Sequence, residues 1–341
     1  MSPMKNELVE LSPKIVDWVR TQCKDIFSAE HTKITFHARD AFPRTYYRVH
    51  ITGGTPVILM VAEPHMTLFN EIVSIGTWMH GQSLPVPNIH AYDHVLRVIL
   101  FEDFGDTQVA KMFLEDLSEN GAQAEKNLYI QMIDSLVLFQ KANADDFIQN
   151  TTYDNIHIAD ETMMFLNAFQ GLPIKERDSF DRVQRSLIDT FQIQTTVLVH
   201  KDYIPANSMI RSDGSLGIID FQNARIDHPL FDVVSLLADI RRIVHPELEA
   251  GMIEYYLDQA QYGSEAVDHD YHVLCLLRNL RIYGRIFELK EYENKPHYWD
   301  LYSDRLLYYI RRELDHKANT EMREWVESVP MVSEQVLEGR D

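Results

Sequence analysis

Only two cysteines occur in 341 residues, Cys23 and Cys275. They lack metal-ligand spacing and leave no disulfide framework to expect. The expectation is a pair of reduced thiols in a cytoplasmic protein. Glycine and proline are also sparse, at 13 each, which excludes a low-complexity or collagen-like chain. Long hydrophobic runs are missing: VILMVA at 57–62 is among the longest, far too short to span a bilayer. The opening stretch MSPMKNELVELSPKIVDWVR lacks the apolar core of a signal peptide. Positive charge is scarce, with 32 Lys and Arg against 52 Asp and Glu, a net charge of −20. A surface this acidic repels nucleic acid and anionic membranes. It suits a cationic substrate and leaves room for a local basic pocket. No internal repeat is visible. What the chain does have is 45% hydrophobic residues, enough for one large core or two lobes.

Hydrophobic periodicity divides the chain. Ile15, Trp18, Val19, Cys23, Ile26 and Phe27 fall at helical spacing. KITFHA, TYYRVHI and PVILMVA then read as strands, with Gly53-Gly54 turning the second into the third. Leu68, Phe69, Ile72, Val73, Ile75 and Met79 mark a helix that LPVP stops. IHAYDH and VLRVILFE complete a β-β-β-α-β-β order over 32–103. Beyond Phe104 the pattern turns helical, with helices expected at about 160–170, 178–191, 230–243, 248–261, 269–289 and 297–314. Its strand-like runs are TVLV, SMIR and LGIID. The expected fold class is α+β: a small antiparallel β-rich N-terminal lobe over 1–103 and a large, mainly helical C-terminal lobe over 104–341.

Those strand-like runs bracket VHKDYIPANSMI (199–210), which crowds His200, Asp202 and Asn207 into one loop. IIDFQN follows, with Asp220 ending a strand thirteen residues beyond Asn207. Phosphoryl transfer from ATP needs a carboxylate beside the acceptor hydroxyl and oxygen ligands for magnesium on the phosphates. Asp202 fits the first role, as the catalytic residue. Asn207 and Asp220, an amide oxygen and a carboxylate brought together by a hairpin, fit the second. An Asp-x4-Asn pair alone carries little information. The added His200, a strand on each side and the strand-ending Asp-Phe make it specific. His200 reads as a structural residue rather than a base.

HKDYIPAN with IIDFQ resembles the catalytic and metal loops of the aminoglycoside phosphotransferase/choline kinase superfamily, which has the protein-kinase-like fold. LFEDFGD (100–106), DFQNARIDHPLFDVVSLLADIRR (220–242) and RNLRIYGRIF (278–287) are similar to stretches of the bacterial N-acetylmuramate/N-acetylglucosamine anomeric kinases. The resemblance runs from about residue 15 to 315. It implies a bilobal, ATP- and Mg2+-dependent sugar kinase of cell-wall recycling. It implies that Asp232 braces the catalytic loop, and that backbone groups of Phe101, Glu102 and Asp103 meet adenine. Arg278 and Asn279 lie in a stretch that implies contact with the sugar or its acidic arm. The expected partners are ATP and a small sugar acceptor, with no nucleic acid and no membrane.

The chain departs from the superfamily at the third strand, where Met60 stands in place of the usual Lys. Glu71 therefore lacks its customary partner in nucleotide binding. Phosphates still require positive charge. Arg39, Arg44 and Arg48 supply it from the first two strands, and Arg44 is the candidate clamp. Lys201 is either near the γ-phosphate or exposed. Two other functions stay open: a kinase of a cationic acceptor such as an aminoglycoside or choline-like alcohol, and a nucleotide-binding pseudokinase. A protein kinase is disfavoured by the lack of a Gly-rich loop and of an Ala-Pro-Glu-like activation segment.

Overall fold

The computed structural model describes residues 11–39, 43–113, 119–147 and 155–338. These fall into two compact units, 11–113 with 206–223 and 119–205 with 224–338.

In the first unit, Ser12 caps α1 (Pro13–Phe27) by accepting from the Ile15 N–H, and Pro13 occupies the first turn. Ile15, Val19 and Cys23 form the buried stripe of this helix. They pack on a sheet built from β1 (His31–Arg39), β2 (Arg44–Ile51) and β3 (Val57–Ala62). After α2 (Phe69–Gly81), the sheet is completed by β4 (Ile89–Asp93) and β5 (Val98–Glu102), in the order β1-β2-β3-β5-β4. Every neighbouring pair is antiparallel. Strand alternation sends Tyr47, Val49, Val57, Leu59, Val98 and Leu100 into the α1 core. The opposite parity turns Arg44, Tyr46, Ile58 and Met60 to the other face, with Tyr46 opposite Met60 in register. The sheet thus has one face packed on α1 and one face that walls a cavity.

Beyond the short helix α3 (Val109–Met112), the chain enters the second unit through α4 (Glu119–Lys141), α5 (Asn155–Thr162) and α6 (Ile174–Asp189), then β6 (Val197–Val199). It returns to the first unit for the hairpin β7 (Ser208–Ile210) and β8 (Leu216–Ile218), turned by Gly214 at φ 82°. It goes back for β9 (Arg225–Asp227), which pairs antiparallel with β6. The rest is helical: α7 (Phe231–Leu237), α8 (Pro246–Ala260), α9 (Ser264–Glu291), α10 (His297–Leu314), α11 (Thr320–Ser328) and α12 (Pro330–Val336). Helix α9 is the axis of this unit, with apolar residues buried over most of its circumference. At Gly284 it passes so close to the segment 163–168 that a Cβ would lie 2.1 Å from the Met164 carbonyl oxygen. No helix among the described residues is long and apolar enough to cross a membrane.

The α+β class expected from the sequence is observed. Three local expectations change. Helix α7 ends at Leu237 rather than near 243, because Asp239 turns its carboxylate onto the Arg241 N–H and guanidinium and competes with the helical ladder. Strand β9 was not expected; three residues with charged ends carry no readable period. Helices α11 and α12 were not expected either, although Met322, Trp325 and Val326, then Val332 and Val336, do fall at helical spacing.

Candidate active site

In the first unit, the free face of the sheet walls a cavity of about 340 Å³. That volume is in the usual range for a small-molecule site. Arg44, Met60, Phe101, Asn207, Asp220 and Gln222 all line it. Met60 is buried in the wall, so no strand cation enters from β3. Positive charge at the cavity comes instead from Arg39 and from the buried Arg44. The Arg44 side chain is only 3% exposed, and its Nη2 lies 3.1 Å from Oδ1 of Asp220.

The β7–β8 hairpin joins Asn207 and Asp220. Ser208 pairs with Ile218, and the Ile219 N–H donates to the Asn207 carbonyl at 3.0 Å. The Gln222 amide donates to Oδ1 of Asp220 at 2.9 Å. The Asp220 backbone sits at φ 66°, in the left-handed region that residues other than glycine rarely enter. The next residue, Phe221, anchors this turn against α2 at Gly76. A Cβ there would stand 2.7 Å from the Phe221 ring. Asp220 is 28% exposed, so its carboxylate remains reachable from the cavity.

The 101–106 segment is held by Arg48. Its guanidinium lies 2.6 Å from Asp103 and 2.9 Å from Asp106. Oδ1 of Asp103 also accepts from the Gly105 N–H at 2.8 Å. The Glu102 carboxylate accepts from the Asn88 N–H at 3.2 Å. The side chains of Glu102 and Asp103 therefore shape the segment and do not form a solvated turn. Glu71 stands in the first turn of α2, and its Oε2 is buried with no hydrogen-bond partner among the described residues. Arg39 pairs with Glu63 at the surface.

In the second unit, the loop carrying Asp202 is braced from α7. Both Asp232 oxygens accept backbone N–H groups, from His200 at 2.5 Å and from Lys201 at 3.0 Å. Burial pushes the Asp232 carboxyl up to about 7, while the two N–H donors and Lys201 pull the other way. His200 is fully buried, edge-on to the rings of Phe139 and Tyr203. Lys201 is neither exposed nor free to approach a phosphate: its Nζ lies 2.9 Å from Asp227 and 3.4 Å from the centre of the Phe231 ring. Burial draws its pKa down to about 8, against the pull of Asp227. It holds φ 75°, so the backbone beside Asp202 is fixed in an unusual conformation by these contacts.

Arg278 and Asn279 part company on α9. Arg278 donates to the Ser235 hydroxyl at 3.1 Å and to the Ala238 carbonyl at 3.4 Å. Among the described residues no carboxylate forms a salt bridge with it. Burial and nearby Arg281 push its pKa down, while Asp239 and, more weakly, Asp202 act the other way; the same two carboxylates raise the pKa of Arg241, which pairs with Asp239 at 2.9 Å. Asn279 is a correction to the sequence reading. It is fully buried and donates its amide to the Cys275 carbonyl of its own helix, so it has no surface to offer a sugar. Asp160 and Glu161 are likewise engaged, with Arg185 and Arg281. Arg241 and Gln222 were missed from sequence. Gln222 had a usable signal, its place two residues after Asp220.

The sequence profile described as "Phosphotransferase enzyme family" matches residues 33–267. An N-acetylmuramate/N-acetylglucosamine kinase of Neisseria meningitidis serogroup B is 26% identical over 314 residues, spanning 88% of this chain and 90% of that protein. A protein of the same name from Caulobacter vibrioides is 27% identical over 276 residues, spanning 75% and 73%. Among solved structures, a choline/ethanolamine kinase family protein from Mesorhizobium loti superposes with a TM-score of 0.64 at 13% identity, over 92% of this chain and 99% of that one. An ADP-bound aminoglycoside phosphotransferase gives 0.62 at 15% identity, over 91% and 99%. At these identities the structural likenesses show a common fold.

Proposed function

Because this chain belongs to the phosphotransferase enzyme family, we propose that it transfers the γ-phosphoryl group of ATP to the anomeric hydroxyl of N-acetylmuramate or N-acetylglucosamine. The observation that carries this reading is the cavity in which Arg44 and Asp220 meet beside Asn207. Asn207 and Asp220 offer an amide oxygen and a carboxylate, a hard-oxygen donor set that fits magnesium. Bound there, the ion would neutralise charge on the nucleotide phosphates. The backbone of residues 101–103, held by Arg48, is the place for the adenine. Arg44 replaces the missing strand lysine as the cation for the phosphates.

Asp202 orients the acceptor hydroxyl and takes its proton late, as a loose transition state allows. An anomeric hydroxyl is more acidic than an ordinary alcohol, so a carboxylate is base enough. Arg278 and Arg241 put positive charge around Asp202. That favours an acceptor with an anionic arm, such as the lactyl carboxylate of N-acetylmuramate, over a cationic aminoglycoside or choline. The two relatives named as amino-sugar kinases support the same choice. The pseudokinase reading rests on the absent lysine alone, and Arg44 answers it.

The test is NMR of the product formed from ATP and each amino sugar, with an aminoglycoside and an amino alcohol in parallel. Phosphate is expected on C1. Phosphate on C6, or turnover of the cationic acceptors alone, overturns the reading. A second measurement addresses the clamp. A charge-assisted hydrogen bond to phosphate is worth about 1.5–3 kcal/mol, so Arg44→Ala should weaken nucleotide binding roughly tenfold or more, with acceptor KM nearly unchanged. An unaltered nucleotide Kd by calorimetry would remove Arg44 from the phosphate site.

A further inference from the structure

Helix α9 carries Asp268 and His272 at i and i+4, which puts both side chains on one face. The turn after α10 brings His316 to the same place. The two imidazoles stack with ring centres 3.8 Å apart. Nε2 of His272 lies 3.9 Å from Oδ1 of Asp268, and Nε2 of His316 lies 3.6 Å from Oδ2. One donor atom from each residue falls within 4.8 Å of the other two. Behind His272 stands Glu313, a 0% exposed carboxylate whose Oε2 is 2.5 Å from Nδ1. Its other oxygen pairs with Arg312 at 2.6 Å, which keeps the carboxylate ionised. Nδ1 of His272 is thus engaged by a carboxylate, which leaves Nε2 as the ring nitrogen facing Asp268. A buried carboxylate fixing the tautomer of a histidine is the usual support behind a metal-bound imidazole.

We propose that Asp268, His272 and His316 form a binding site for a zinc-class transition-metal ion, separate from the hard-oxygen pair Asn207 and Asp220. Two imidazole nitrogens and one carboxylate suit Zn2+ or Co2+ rather than Mg2+. Tetrahedral zinc with bonds of about 2.0–2.1 Å holds its donors about 3.3–3.4 Å apart. The observed 3.6 and 3.9 Å His–Asp separations are near that, but the two imidazoles have to turn out of their stack before both nitrogens face one ion. A groove of about 590 Å³ between α8 and α9 runs past Asp268 and His272 and leaves a fourth position open to water. Two contacts oppose loading. Nδ1 of His316 accepts from the Ala318 N–H at 3.3 Å, so binding through Nε2 shifts the ring proton to Nδ1 and gives up that bond. Nζ of Lys317, 3.7 Å from Asp268, has to withdraw. The ion would tie α9, which also carries Arg278, to the end of α10.

The site is tested by titrating Co2+ into the full chain carrying Asp220→Asn, which disables the hard-oxygen pair. A visible band of four-coordinate Co2+ is expected, displaced by Zn2+ and untouched by Mg2+, with a rise in melting temperature. Asp268→Asn and His316→Ala should each weaken binding tenfold or more. The Asp268 side chain is half-exposed, so Asp268→Asn serves even if a histidine variant fails to fold. No band at a large excess of Co2+, or an affinity in Asp268→Asn and His316→Ala equal to that of the protein with the cluster intact, overturns the site and leaves the cluster an ion-pair network. Neither result depends on phosphotransferase activity.

Discussion

Asp202→Asn is expected to lower turnover by about 10²–10⁴-fold, the usual contribution of a positioned proton acceptor. Nucleotide affinity should change little, because none of the cavity-lining residues of the first unit is altered. The loop itself should persist. Its geometry is set by the Asp232 carboxylate on the His200 and Lys201 N–H groups and by Lys201 on Asp227, and none of these contacts uses the Asp202 side chain. The variant should therefore melt close to the wild type. The check combines steady-state turnover with nucleotide binding by calorimetry. Turnover near wild type in a folded Asp202→Asn protein would remove Asp202 from the reaction.

Asp220→Ala should abolish magnesium-dependent turnover, since it deletes the only carboxylate of the proposed ion pair of ligands. It should also destabilise the protein, an outcome that the sequence alone did not suggest. Arg44 is 3% exposed and lies 3.1 Å from Asp220. Stripping one partner from a fully buried pair costs about 3–5 kcal/mol. Asp220 is 28% exposed, so solvent screening should bring the loss to the lower end or below. Asp220→Asn keeps the shape and a hydrogen-bond acceptor for Arg44 and Gln222. It should lose activity with a smaller drop in melting temperature. Magnesium-dependent binding of an ATP analogue, measured in both variants beside thermal melting, separates the two effects. Retained magnesium dependence in Asp220→Asn would show that the ion is held elsewhere.

Much of the first unit was readable because its signals are short-range. Alternation in TYYRVHI and the short apolar run VILMVA announce strands, and Gly53-Gly54 announces their turn. The same alternation implies two sheet faces but does not say which one receives α1. That choice is made by Ile15, Val19 and Cys23 packing on Val49, Leu59 and Leu100. The proposed catalytic residue and metal ligands could be named for a similar reason: Asp202, Asn207 and Asp220 lie close together in sequence. Asn279 shows the limit. It sits beside Arg278 in sequence, yet successive residues on a helix point about 100° apart. One faces Ser235 and the other the buried core beside Cys275.

The sequence by itself determined the α+β class and the β-β-β-α-β-β succession over 32–103, because these depend on periodicity and on spacing within a few dozen positions; that β5 rather than β4 pairs with β3 was decided in space. Tertiary structure alone decided which charges are spent and which remain. It placed Arg44 on Asp220 across 176 positions, and Lys201 on Asp227 rather than at a surface. It drew Asp268, His272 and His316 into one cluster. Pairing between distant charges depends on where the chain returns in space, and no local pattern records that.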